Sequence, residues 1–186
     1  MMSDKRNTSI GYIVSLCGVM SALALSLMFV MGMIPSFEYI SPAISGMFIW
    51  VIRRHLGVKY GMVSYLAVGV LSLLLVPNYE ATMMYIFLLG YYPIVRDYLQ
   101  KIKLKVLQWI VKLAVYAIPS MGAYMVLVHL FGMEYLLEDA NDFGKYGSLV
   151  LLGLGAVAFI LYDTFIGLLE PFYDKIIVPK IQKRLK

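Results

Sequence analysis

The sequence predicts an all-α, polytopic integral membrane protein with six transmembrane helices and both termini cytoplasmic. Three observations carry this. Six apolar runs are separated by short polar corners. The chain is 61% hydrophobic and 15% charged, with mean hydropathy +0.80, whereas soluble domains run near half apolar and about a quarter charged. All but one of the 16 Lys and Arg fall on one side of the six runs, and basic residues mark the cytoplasmic side.

The first run, about 10–34, follows Lys5 and Arg6 and resembles a signal peptide. It is too long for a signal-peptide core of roughly 7–15 residues, so it reads as a retained span. The second, 41–52, is short, and Arg53 and Arg54 are expected to reach from its end to the headgroups. The third is 60–76 and the fourth 81–95. The fifth is 106–131, followed by an acidic loop over 133–145, and the sixth is 146–169. Backbone polar groups in hydrocarbon must be satisfied within the segment, and the runs lack strand alternation, so they are read as helices. Residues 1–170 form the transmembrane domain. Residues 171–186 set Phe172, Ile176, Ile177, Ile181 and Leu185 among lysines, as in a basic tail on the cytoplasmic membrane surface.

The basic residues lie at Lys5 and Arg6, at Arg53, Arg54 and Lys59, from Arg96 to Lys112, and from Lys175 onward. Only Lys145 falls on the other side. This distribution between apolar runs excludes a nucleic-acid surface. A single cysteine, Cys17, and two separated histidines, His55 and His129, offer no internal disulfide and no metal cluster. No HExxH, GxSxG or Walker A pattern is present, so the chain is expected to be no enzyme and to need no cofactor.

Four constellations stand out. Gly11, Ser15, Gly18, Ala22 and Ser26 make a small-residue stripe on the first helix. Such a stripe admits close helix approach, either within this protein or against a partner subunit. In the fourth run Tyr85, Tyr92 and Arg96 are spaced to share one helical face. Pro93 frees a carbonyl near Leu89, and Tyr91 and Tyr92 suit the membrane interface. In the fifth and sixth runs Lys112 and Asp163 lie at matching depth, each ~8–9 Å toward the cytoplasm from mid-span. Charges in hydrocarbon are usually paired, so they are expected to form a buried ion pair, with an ion or proton relay as the other reading. Gly167 and Glu170 share the Asp163 face. On the outer side, Glu38, Tyr39, Asn78, Tyr79, Glu80, Glu134, Glu138, Asp139, Asn141 and Asp142 make an acidic surface suited to a cationic or amine-bearing solute, or one merely emptied of basic residues.

Six short spans, cytoplasmic termini, the GVMSALALS stripe (18–26), the fourth-run text VPNYEATMMYIFLLGYYPIV and the missing ATPase together resemble the substrate-binding S components of energy-coupling-factor (ECF) transporters, in a branch of small Gram-positive membrane proteins. That resemblance implies a capture subunit for a vitamin or other micronutrient in a bacterial cell membrane. Its partners would be a transmembrane T subunit, ABC ATPase subunits, membrane lipid and a small-molecule solute. Gly18, Ala22 and Ser26 would dock the T subunit. Glu38, Tyr39, Asn78, Glu80, Tyr85 and Tyr124 would frame the solute. The alternative is an assembly or regulatory partner in the cell envelope that transports nothing. A lipid-directed membrane enzyme using Asp163 or His129 is a third reading.

Overall fold

The computed structural model describes residues 10–34, 37–129, 131–132 and 147–177. Among them the chain is all-helical. The helices are α1 (Ile10–Met31), α2 (Ile40–Leu56), α3 (Val58–Leu75), α4 (Tyr79–Met84), α5 (Tyr92–Gln100), α6 (Lys105–His129) and α7 (Gly147–Phe172). A π-helical turn, Tyr85–Leu89, joins α4 to α5, and a second, Tyr173–Ile177, ends α7. Lys5, Arg6, the loop over 133–145 and the tail from 178 lie outside the described residues.

Among the described residues four segments are long and apolar enough to cross a membrane: Ile10–Met31, Val58–Leu75, Lys105–His129 and Val150–Lys175. The first is 22 residues, or ~33 Å at 1.5 Å per residue, close to a hydrocarbon core of about 30 Å. Their exposed faces are lined with large apolar residues, among them Val14, Val30, Leu66, Leu74, Ile110, Ile118, Leu161 and Leu168. The buried face of α3 is smaller and more polar. On α3 the buried positions are Gly61, Ser64, Val68, Gly69 and Ser72. That arrangement suits lipid, which solvates large apolar groups as well as a protein core does and leaves close packing to small residues.

The helices α1, α2 and α3 pack on one another, and α2 also faces α4, its π-turn and α5. On the far side α6 packs against that broken segment and against α7. Two apolar clusters result. Ala24, Met28, Ile49, Ile52, Val68, Tyr85 and Ile94 join α1–α3 to the broken segment. Trp50, Leu89, Tyr92, Tyr116, Phe159, Tyr162 and Ile166 join it to α6 and α7. Thus α2 and the broken segment form the shared wall. Gly57 connects α2 to α3 alone, at φ 96, a left-handed conformation that disfavours side chains.

Two expectations are corrected here. Tyr85 does not share a face with Tyr92 and Arg96: it belongs to the α1–α3 cluster, while Tyr92 faces α7. The π-turn inserts an extra residue, which rotates everything after it by ~100° relative to an unbroken α-helix. The sixth helix also does not stop before Pro171 but runs through it to Phe172.

Candidate functional site

The densest polar chemistry is an ionic network where α2 ends, α5 and α6 begin, and α7 finishes. Asp163 sits at its deep end, 6% exposed. Its Oδ2 accepts from Lys112 Nζ at 2.5 Å. Its Oδ1 accepts from Arg96 Nε at 2.8 Å and from the Tyr92 hydroxyl at 2.6 Å. One carboxylate therefore takes three donors from two helices. Arg96 spans onward to Glu170 Oε2 at 3.1 Å. With its amide oxygen turned inward, Gln100 accepts from both terminal nitrogens of Arg96, at 2.9 and 2.6 Å. Arg54 then bridges Glu170, at 2.8 Å, and Asp174. Arg53, also buried, pairs with Asp97 at 2.7 Å and donates to the Pro93 carbonyl at 3.2 Å. Four cations thus meet four carboxylates.

The sequence places these groups by simple spacing. Asp163, Glu170 and Asp174 are seven and four apart, which puts them along one face of α7 and its terminal turn. Their side-chain exposure rises from 8% to 24% to 44% along that face. Gly167 lies between them, and a Cβ there would come 2.9 Å from an Arg96 terminal nitrogen. The glycine makes room for the guanidinium. A buried charge is tolerated when paired and fully hydrogen-bonded, which is the state of Asp163 and Arg96. The Trp109 ring lies 5.2 Å from the Lys112 ammonium.

Arg53 and Arg54 accordingly do not reach out to headgroups as the sequence suggests; carboxylates on α5 and α7 hold them inward. Nor does Tyr92 sit at an interface: it is fully buried, because Asp163 offers its hydroxyl an ionised acceptor. Sequence reasoning brings Lys112 to Asp163 but misses Arg96 and Tyr92 as further partners of the same carboxylate.

Hydroxyl groups stand where prolines remove backbone donors. The Leu89 carbonyl, which Pro93 deprives of its usual N–H, accepts from the Tyr162 hydroxyl at 3.1 Å. Pro119 does the same to Val115, whose carbonyl accepts from Tyr91 at 2.7 Å. Tyr65 donates to Ile86 in the π-turn at 2.6 Å. A freed carbonyl in lipid is costly, and a proline four residues after it is the signal that predicts such a donor nearby.

The outer polar residues divide. Asn78 caps α4 by accepting from the Ala81 amide at 2.9 Å, and its amide nitrogen donates to Glu38. The Tyr39 hydroxyl lies 3.4 Å from Glu80. These four therefore meet at one corner, beside Tyr79, whose ring lies 4.5 Å from that of Phe131. Tyr124 is half-buried on α6. Tyr85 is wholly buried beside Tyr65, with no partner for its hydroxyl among the described residues.

The small-residue stripe on α1 is bare. Gly11, Ser15, Gly18, Ala22 and Ser26 are all exposed, and a Cβ added at Gly11 or Gly18 would meet nothing within 4 Å. The buried face of α1 is instead Ala24 and Met28, where Ser45 of α2 donates to the Ala24 carbonyl at 2.8 Å.

No family model, no curated protein and no solved structure matches this chain.

Proposed function

We propose that the chain is a six-span, multi-pass subunit of a bacterial cytoplasmic membrane that captures a small solute for an ECF-type transporter. In this reading the four apolar helices are joined by α2 and by the α4–α5 segment as the second and fourth spans. The ionic network and both termini are cytoplasmic, and the corner of Glu38, Tyr39, Asn78 and Glu80 faces outward.

The observation that carries the reading is the bare stripe on α1. On α3 the small residues are used inward, as at Gly61, where a Cβ would come 2.9 Å from that of Arg53. A second small stripe left uncovered in the isolated chain is suited to a helix from another subunit. A passive capture subunit can shift its equilibria only as far as differential binding allows, so concentrative uptake requires a T subunit and ATPases on other chains.

Ala22→Trp tests this. The variant should fold and bind solute but fail to co-purify with a T subunit, and uptake should stop. Normal uptake with the folded variant would remove the docking face. The orientation is tested separately in a Cys17→Ser background. An impermeant maleimide should label Phe37→Cys in intact cells and leave Lys103→Cys untouched; the reverse pattern would invert the topology.

A second reading, an assembly or regulatory partner in the envelope, is favoured by one observation: the outer-corner side chains already contact one another through Glu38–Asn78 and Tyr39–Glu80. Co-purification of envelope enzymes in place of T and ATPase subunits would select it.

A further inference from the structure

We propose that the connection between α5 and α6 is a binding site for anionic phospholipid headgroups, formed by Lys101, Lys103 and Lys105 between Tyr98 and Trp109. The inference needs only that the protein resides in a membrane, and it stands whether or not the chain captures a solute.

Within the ionic network every cation has a carboxylate, four against four. Lys101, Lys103 and Lys105 are different. All three are exposed, and none has an acidic partner among the described residues. They fall within five consecutive residues, a local surplus of positive charge that the fold does not neutralise. The backbone there is ordered by turns, with the Lys101 amide bonded to Tyr98 and the Ile102 amide to Leu99, each at 3.2 Å. Leu99 is buried and anchors the turn.

The neighbours identify the partner as lipid and not a soluble anion. Leu104 is 68% exposed and Val106 73% exposed, and Leu107 and Ile110 continue that surface down α6. A soluble loop would not present such residues beside its lysines. Acyl chains would cover them while the ammonium groups stay at phosphate level. Tyr98 and Trp109, both exposed, bracket the stretch, as amphipathic rings do at the headgroup boundary. Lys101 lies 5.2 Å over the Tyr98 ring, which holds its ammonium at the rim. Lysine suits such a position because it is a compact charge on a flexible stem, able to follow a mobile phosphate. Each such lysine near an anionic surface contributes about fivefold in partition.

Trp109 makes the site measurable. The chain has two tryptophans, and Trp50 is 3% exposed, so Trp50→Phe leaves Trp109 as the reporter. The full chain is reconstituted in phosphatidylcholine vesicles containing brominated phosphatidylglycerol or, at equal mole fraction, brominated phosphatidylcholine. The anionic quencher should show a relative association constant roughly fivefold or more above the zwitterionic one. The preference should vanish in K101Q/K103Q/K105Q and persist in K101R/K103R/K105R, whose retained charge also controls for folding. Equal quenching by both lipids would overturn the proposal. So would a preference that survives the triple glutamine variant, which would locate the anionic lipid elsewhere. Loss of the preference on adding millimolar inorganic phosphate would show a site for free anions instead of headgroups, and would overturn it too.

Discussion

Arg96 and Lys112 converge on one carboxylate, Asp163, at 2.8 and 2.5 Å from its two oxygens. The two cations are not equivalent. Arg96 keeps Glu170 and Gln100 if Asp163 is removed, whereas Lys112 has no second carboxylate among the described residues. Asp163→Ala should therefore destabilise the protein chiefly by stranding Lys112, by about 3–5 kcal/mol. Adding Lys112→Met should recover part of that loss, with a coupling of at least ~1 kcal/mol. Equilibrium unfolding in detergent of the two single variants and the double variant checks it. Simple additivity would show that the pair carries no energy.

Gly46 lies where α2 meets the π-turn. A Cβ there would overlap the Leu89 carbonyl oxygen and come 2.5 Å from the Tyr162 hydroxyl. The methyl group would break the bond that replaces the one Pro93 removes. Gly46→Ala should cost about 2–4 kcal/mol through overpacking and an unsatisfied buried carbonyl. Gly18→Ala on the bare face of α1 should cost nothing or stabilise slightly, since alanine favours helix by up to ~1 kcal/mol over glycine. Melting temperatures in one detergent compare the two. Equal losses would mean that α1 is covered in the isolated chain.

The Tyr85 hydroxyl is buried without a partner among the described residues, an arrangement that costs about 1–3 kcal/mol relative to a satisfied or absent group. Tyr85→Phe should leave folding intact or raise stability by roughly 1 kcal/mol, because the ring retains its packing on Tyr65 and Gly90. A clear loss of stability would mean that the hydroxyl is satisfied after all. Solute binding measured on the same variant separates a structural tyrosine from a solute contact.

How much of this the residues alone disclose depends on whether a contact is local or crosses helices. The long apolar runs disclose α1, α3, α6 and α7, because lipid demands length and apolarity that composition records directly. The Gly90–Pro93 break is legible because both residues act on their own backbone. Its consequence is not, since one extra residue in the π-turn sends Tyr85 and Tyr92 into different clusters. Arg53 and Arg54 are misread for a similar reason. A basic pair after an apolar run suggests headgroups, and only the assembled fold brings Asp97, Glu170 and Asp174 within reach. The bare stripe on α1 is visible as spacing, but which way it faces depends on Ala24 and Met28 winning the contact with α2.

His55, in the last turn of α2 and beyond the apolar run over 41–52, gives the network a pH dependence. Its ring bonds to the Tyr173 hydroxyl and meets the Tyr173 ring edge-on at 5.5 Å. Burial pushes its pKa below the ordinary value of 6.5, the neighbouring Arg54 cation adds to that, and Asp174 opposes both. As pH falls through about 6.5 the unfolded chain takes up a proton at this position, while the folded chain resists until its lower value is reached. The unfolded state then holds more protons, so stability falls with falling pH across that window and levels off once the folded histidine is also protonated. Resistance to unfolding should therefore be lower at about pH 5.5 than at about pH 7.5, measured in the same detergent and salt. His55→Gln retains a hydrogen-bonding group toward Tyr173 and removes the titration, so it should reduce the difference. A wild-type stability that stays flat as the pH is lowered across that window would show that burial does not disfavour the His55 cation, and one that rises would show that Asp174 outweighs burial and Arg54.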